Sequence, residues 1–280
     1  VNGAAMPGTA EAASAPAFTE ERRAEIVRLV KERGRVRTGE LAGILGVTEP
    51  TIRRDVADLD RQGLVHRTHG GAIAASQSRE PSLSARAGRN VAAKAAIARA
   101  CLDLIEDGGA VFLDSGSSVD AIADAIRESA VAPGTGDLRG RFADLNVLTN
   151  AVGVAVRLAD VPGVRCTLLG GSYRTLGACT VGPLAVDNLA QFSLTAAFIG
   201  VTGLFENTFA VSDMGDAQLK IAAMARAATV VVPMDSSKVG VVDFRRICDL
   251  DRVDVLVTER PVGDLTERCA AATVELVVAG

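Results

Sequence analysis

Histidine is nearly absent from this 280-residue chain, with only two, at positions 66 and 69. A metal centre built on imidazole therefore has almost no material, and the cysteines show no paired spacing that would offer a thiolate one. Those cysteines number five, at 101, 166, 179, 248 and 269. An odd, unpaired set argues against a disulfide framework and for reduced thiols, hence for the cytoplasm. No apolar run reaches the roughly 20 residues that span a bilayer. Residues 1–17 are rich in Ala, Pro, Gly and Ser but lack the basic start and continuous apolar stretch of a secretion signal, so they read as a disordered tail. Lysine is scarce as well, four against 26 arginines. Three of the four, Lys94, Lys220 and Lys238, lie beyond residue 90. Where composition favours arginine so strongly, a lysine marks a place that suits a compact point charge.

What is present points to two domains. The length suits them, and 48% hydrophobic residues are ample for cores. The net charge of −4 is uneven: residues 18–73 hold eleven basic residues against nine acidic, and the rest nineteen against twenty-five. A mildly basic end on an acidic body suits a protein that meets DNA with one end only. Residues 74–90 are polar, without a strong period, and read as a linker. The second domain then runs over 91–280, with a flexible excursion at 132–141.

Over residues 18–73 three helices are expected. Thr19 reads as the N-cap of the first, with Glu20 and Glu21 in its first turn and Gly34 ending it. Thr38 reads as the cap of the second, which Gly46 stops, and Thr48 as the cap of the third, with Pro50 in its first turn. Ile52, Val56 and Leu59 hold this third helix from one side, so Thr51, Arg53, Arg54 and Asp58 point outward. Gly63 ends it, and LVHRTHGGAI reads as a hairpin with Gly70-Gly71 as its turn, carrying Arg67 and His69. This order is that of a winged helix-turn-helix, whose second element of the motif enters the major groove of double-stranded DNA. The DNA-facing set is Thr38, Thr48, Glu49, Thr51, Arg53, Arg54, Arg67 and His69. Either arginine can fork onto a guanine edge or grip a phosphate, and spacing does not decide which.

From Val91 onward, apolar β-branched runs at 110–114, 145–149, 164–170, 195–200, 229–234 and 253–258 alternate with helical stretches. Strands apolar on both faces, separated by helices, imply a largely parallel sheet with ligands at its C-terminal rim. Ser115-Gly116-Ser117-Ser118 follows the first run and opens a helix; Asn150, Gly171-Ser172 and Asp235-Ser236-Ser237-Lys238 follow others. Hydroxyls, a helix N-terminus and a lysine on one rim suit a small phosphorylated polyol.

Both halves resemble the DeoR family of bacterial transcriptional regulators. The carriers are TIRRDVADLDRQGLVHRTHGGA in the first half, and LDSGSS, LTNAVG, LLGGSYR, AFIGVTG and DSSK in the second. The resemblance implies a C-terminal α/β domain similar in fold to ribose-5-phosphate isomerase and glucosamine-6-phosphate deaminase. It implies a repressor of a carbohydrate or related catabolic operon, released from its operator by a sugar-phosphate effector, without cofactor. It also implies effector contacts at Asp114, Ser115, Gly116, Ser117, Ser118, Asn150, Gly170, Gly171, Lys220 and Lys238. The chain departs from the family at Pro50, at Ser117-Ser118 in place of threonines, and at Thr202 in place of an acidic residue. The rival is a sugar-phosphate isomerase or deaminase with an accessory DNA domain. Such an enzyme needs a general base, and GVTG has no carboxylate, leaving only Asp213 or Asp235. A small, mildly basic module reads DNA best in pairs, so a homodimer or higher homo-oligomer is expected.

Overall fold

The computed structural model describes residues 15–61, 64–68, 70–74, 81–131, 142 and 144–280. Gly63, His69, most of the N-terminal tail and the 132–141 excursion, all singled out above, lie outside them. The chain divides into two compact units, Val1–Arg79 and Glu80–Gly280.

The first unit opens with α1 (Ala15–Arg33). It starts four residues before Thr19, so that threonine is inside the helix and not its cap. Ala15 and Ala17 are strong helix formers, and Pro16 is tolerated in a first turn. Gly34 follows in the left-handed region, φ 71°. A short strand that the sequence reading missed, β1 (Arg35–Arg37), leads into α2 (Thr38–Leu45). Thr38 is the first helical residue and caps nothing: the preceding Arg37 is extended and no side chain caps the helix. The amide of Thr38 donates instead to the Gly70 carbonyl, 2.9 Å away, so the wing backbone satisfies a free helix donor. Gly46, φ 64°, turns the chain, and α3 (Glu49–Arg61) follows.

Strands β2 (Val65–Thr68) and β3 (Gly71–Ala74) complete a three-stranded sheet in the order β1-β3-β2. Gly71, expected in the turn, belongs to β3 instead, paired with Thr68 on one side and Arg37 on the other. A Cβ on Gly71 would lie 2.2 Å from the Val36 carbonyl oxygen, so the close approach of β1 requires glycine there. Ile26, Leu29, Val30, Leu41, Ile52, Val56, Leu59 and Val65 form one core. Beside it, the buried Asp55 of α3 accepts from Arg22 Nε at 2.7 Å and Arg23 Nε at 2.9 Å of α1.

The second unit starts with α4 (Leu83–Ala87) and α5 (Val91–Leu102), then β4 (Ala110–Leu113), α6 (Ser117–Val131), β5 (Leu145–Thr149), α7 (Val152–Leu158) and β6 (Val164–Leu168). A hairpin of β7 (Ser172–Arg174) and β8 (Cys179–Val181) precedes α8 (Pro183–Leu189) and β9 (Leu194–Phe198). Then come β10 (Gly203–Phe205), β11 (Thr208–Val211), α9 (Met214–Met224), β12 (Ala227–Pro233), β13 (Arg245–Asp249), β14 (Val255–Thr258), α10 (Leu265–Ala271) and β15 (Glu275–Val278).

Seven strands form a parallel sheet in the order β15-β14-β12-β9-β4-β5-β6. Both faces are covered, as continuous apolar strands require. Val111 and Leu113 of β4 join α5, α6 and α7 in one core, and Phe112 joins α8, α9 and α10 in the other. All six expected strands are present, with β6 and β9 each ending two residues early. β15 and two small antiparallel sheets, β7-β8 and β10-β11-β13, were not anticipated. The chain lays down β4, β5 and β6 in one direction and returns to the other side of β4 with β9. The strand order therefore reverses between β4 and β9, which is where ligands enter open α/β sheets.

Candidate functional site

The side of the first unit expected to face DNA is built on α3. Its inner residues Ile52, Val56 and Leu59 are buried, which leaves Arg53 and Arg54 exposed. Arg53 pairs with Glu49 one turn back at 3.1 Å, and the Thr48 and Thr51 hydroxyls sit 3.0 Å apart at the helix start. Between α3 and the wing runs a groove of about 580 Å³ lined by Thr38, Arg53, Val56, Asp60, Arg67, Thr68 and Gly71. Arg67 is held there by its backbone amide, which donates to Asp60 Oδ1 at 3.2 Å. The structure thus brings Thr38, Arg53 and Arg67 to one groove, with Thr48, Glu49, Thr51 and Arg54 on the same helix start. Asp55, which locks α3 to α1 through two arginines, was missed; a lone Asp among apolar positions on the inner face was its only signal.

In the second unit the crevice between β4 and β9 gathers most of the expected contacts. Asp114 follows β4 with no exposed surface. Its Oδ2 accepts from the Gly200 amide at 2.8 Å and from Lys220 Nζ, while its Oδ1 has no partner. Gly200 must be glycine for this approach, since a Cβ would lie 2.5 Å from the Ser115 carbonyl. Ser115 donates its hydroxyl to Asp216 at 3.3 Å, and Asp216 also faces Lys220 at 3.3 Å. One ammonium, 1% exposed, is thus shared by two carboxylates. Burial opposes the charge on Lys220, but the carboxylates, Asp114 foremost, hold it above its ordinary value. Burial, with Asp216 adding repulsion, lifts Asp114 to about 6 against the pull of Lys220.

Lys220 is therefore committed beneath the site rather than open to it. Lys94 is committed too, to the backbone carbonyls of Arg86, at 2.6 Å, and Arg89. Lys238 differs. It ends a 3-10 turn, Ser236–Lys238, is half-buried, and its ammonium has no hydrogen bond among the described residues. Burial, then the nearby charges of Lys94, Arg86 and Lys220, push it down to about 8 against the pull of Asp235.

Ser117 and Ser118 open α6, and the buried Ser118 hydroxyl has no partner. Asn150, fully buried after β5, donates to the Thr180 carbonyl at 3.1 Å and leaves its Oδ1 unpartnered. Gly170 and Gly171 are exposed at the neighbouring turn, where a Cβ on Gly171 would lie 2.7 Å from the Val181 carbonyl. Sequence reasoning missed Asp216, Thr180 and Asn90. Asp216 stands four residues before Lys220 on α9, a spacing that could have revealed it. The candidate bases of the rival enzyme are structural: Asp213 caps α9 and pairs with Arg174 at 3.2 Å, and Asp235 caps the 3-10 turn. Thr202 donates to the Ala210 carbonyl at 2.8 Å. Among the described residues no His, Cys, Asp and Glu group could hold a metal ion, and no helix is long and apolar enough to cross a membrane.

A winged three-helix reader in one chain with a parallel α/β body of this kind defines a DNA-binding regulator with a sensor domain. The DeoR-like helix-turn-helix domain matches residues 22–78 and the DeoR C terminal sensor domain matches residues 89–260; the chain belongs to the DeoR family of transcriptional repressors. It is 30% identical over 244 residues to the HTH-type transcriptional repressor GlcR of Bacillus subtilis (strain 168), covering 87% of this chain and 89% of the relative. It is 31% identical over 239 residues to a lactose phosphotransferase system repressor of Staphylococcus epidermidis, covering 84% and 90%. Both relatives are repressors, and the chain is a regulator, not an enzyme. Among solved structures, ribose 5-phosphate isomerase from Plasmodium falciparum aligns over 52% of each chain with a TM-score of 0.37 and 12% identity.

Proposed function

We propose that the chain, as a cytoplasmic homodimer or higher homo-oligomer, represses a carbohydrate or related catabolic operon, and that a small phosphorylated polyhydroxy metabolite releases it. One observation carries the effector reading: the crevice where the strand order reverses combines a half-buried lysine whose ammonium makes no hydrogen bond among the described residues with buried polar atoms lacking partners. Lys238 and the N-terminus of α6, at Ser117-Ser118, suit a phosphate. The unpartnered Asp114 Oδ1 and Asn150 Oδ1 are acceptors, and a ligand's hydroxyls would donate to them. Lys220 and the Gly200 amide position Asp114, Ser115 holds Asp216 beside them, and Gly116, Gly170 and Gly171 let backbone approach the ligand. One relative, a lactose phosphotransferase system repressor, points by its name to the same class of operon. Thr48, Glu49, Thr51, Arg53 and Arg54 would face base edges and phosphates, and Thr38, Arg67 and His69 the flanking backbone.

The test is a titration of a DNA site selected from random sequence. Alanine at a base-reading arginine, Arg53 or Arg54, should weaken binding by about 1–3 kcal/mol and relax preference at one base. Lys238→Ala should bind that site as the wild type does, yet need more sugar phosphate for release. Release at wild-type concentrations would remove Lys238 from the effector site.

A further inference from the structure

The short helix α4 contributes no fully buried side chain. Hydrogen bonds hold it instead, and they lead to two separate loops of the crevice. At its start, the Leu83 amide donates to the Leu176 carbonyl at 3.0 Å, in the turn between β7 and β8. That hairpin carries Thr180, the partner of Asn150. Beyond its end stands Asn90, in the left-handed region with φ 52°. The Asn90 amide nitrogen donates to Asp235 Oδ1 at 2.8 Å and lies 3.1 Å from the Ser237 hydroxyl, in the turn that presents Lys238. Lys94 then ties the elbow between α4 and α5 by holding the Arg86 and Arg89 carbonyls. On the inner side α4 packs against α6, whose start is Ser117. A cavity of about 280 Å³ lies here, lined among others by Ala87, Lys94, Ser117 and Asp120. Arg86, which precedes Ala87 in the chain, is half-buried, and its charge acts on Lys94, Asp120 and Lys238.

The helix also has a particular place in the chain. It is the first described element after residues 75–80, which lead from the wing strand β3 into the second unit. A segment pinned by a few polar contacts and no core opens at low cost, and such segments carry conformational signals.

We propose that α4 is the strap through which the sensor acts on DNA binding: Arg86 closes on the anion that Lys238 holds, and Asn90 passes the resulting shift of the Lys238 turn to the segment joined to the winged domain. Arg86 is thereby a second, mobile cation for the effector's phosphate, and Asn90 a positioning residue that touches no ligand. An anion between Arg86 and Lys238 removes their mutual repulsion, so its binding and the closed strap favour each other reciprocally. This inference rests on the effector site proposed above, and the test separates the two.

Hydrogen exchange of the full chain, with inorganic phosphate as probe and chloride at equal ionic strength as control, reads the strap directly. Phosphate should slow exchange of the Leu83 to Ala87 amides by about threefold or more in the wild type, in the range where it raises the melting temperature. Lys238→Ala should abolish both effects. Arg86→Gln should keep part of the melting shift but lose the slowing. Asn90→Gly, which retains the left-handed backbone, should keep phosphate binding within about twofold while the strap and operator affinity stop responding. If Lys238→Ala binds phosphate like the wild type, or the wild type shows no phosphate-specific shift, the effector site itself is misplaced. If Lys238→Ala fails to bind but Arg86→Gln and Asn90→Gly both retain wild-type slowing, the site stands and the strap is overturned.

Discussion

At the scale of residues, the three lysines of the second unit have different fates, though the sequence offers the same reason to notice each. Lys94 is spent on backbone carbonyls and Lys220 on two carboxylates, while Lys238 stands between the carboxylate of Asp235 and the charges of Lys94, Arg86 and Lys220. Scarcity of lysine marks all three as chemically chosen, but what each one meets is decided by residues distant in sequence. Asp114 stands 106 positions from Lys220, and no local pattern links them.

The depressed Lys238 supplies a pH test. Its value falls from 10.5 to about 8 on folding, so between those values the unfolded chain holds more proton than the folded one. Its charge therefore works against folding below pH 8, and stability rises with pH as this burden is lost between about 8 and 10.5. A bound anion reverses the trend by favouring the ammonium. Calorimetry of phosphate binding at pH 8.5, in buffers of different ionisation enthalpy, should show proton uptake that Lys238→Gln abolishes. Equal uptake in both proteins would assign the proton to another group.

At the scale of elements, the third helix was legible because its buried positions repeat every three to four residues and its termini carry turn chemistry. The wing was legible only as a hairpin. Its third strand has three residues, too few for alternation to show, and it pairs with β3 from the far side of two helices. The same shortness hid β7, β8 and β10. Thr38 was misassigned as a cap for a related reason: the partner of its amide is a carbonyl 32 residues away, not its own hydroxyl.

The two wing glycines separate these effects. Gly71→Ala should destabilise the first unit by about 1–3 kcal/mol and weaken operator binding, because its Cβ meets the Val36 backbone. Gly70→Ala meets nothing within 4 Å and should leave both near wild type. Thermal unfolding and operator titration of the two variants check this, and equal effects would mean that the β1–β3 approach is not tight.

At the scale of the whole molecule, the alternation of strands and helices revealed a parallel sheet, and with it the rim where the proposed effector contacts lie. The order of strands was not legible, because apolar runs such as AVFLD and TVVVPM carry no mark of their neighbours. The crevice could be placed only once β9 was seen beside β4.

Pairing of chains belongs to this scale as well. A reader with eleven basic and nine acidic residues gains little from charge alone, so affinity should come from two copies on one DNA. Sedimentation should show at least a dimer at micromolar concentration, with two chains per operator whose half-sites lie about 10–10.5 base pairs, or a multiple, apart. A monomer binding one-to-one would rule this out.

The strand order also sets a sequence of events during synthesis. β4 emerges before all its sheet partners, and its neighbours β5 and β9 both follow it in the chain, one on each side of it in the sheet. The lysine that completes the crevice follows β12. Domains fold in the order they leave the ribosome, so the winged domain is finished while the crevice still lacks one wall. A chain interrupted after β6 would retain the residues of its DNA reader but lack β9 and both Lys220 and Lys238, and with them every means of answering a metabolite at this crevice.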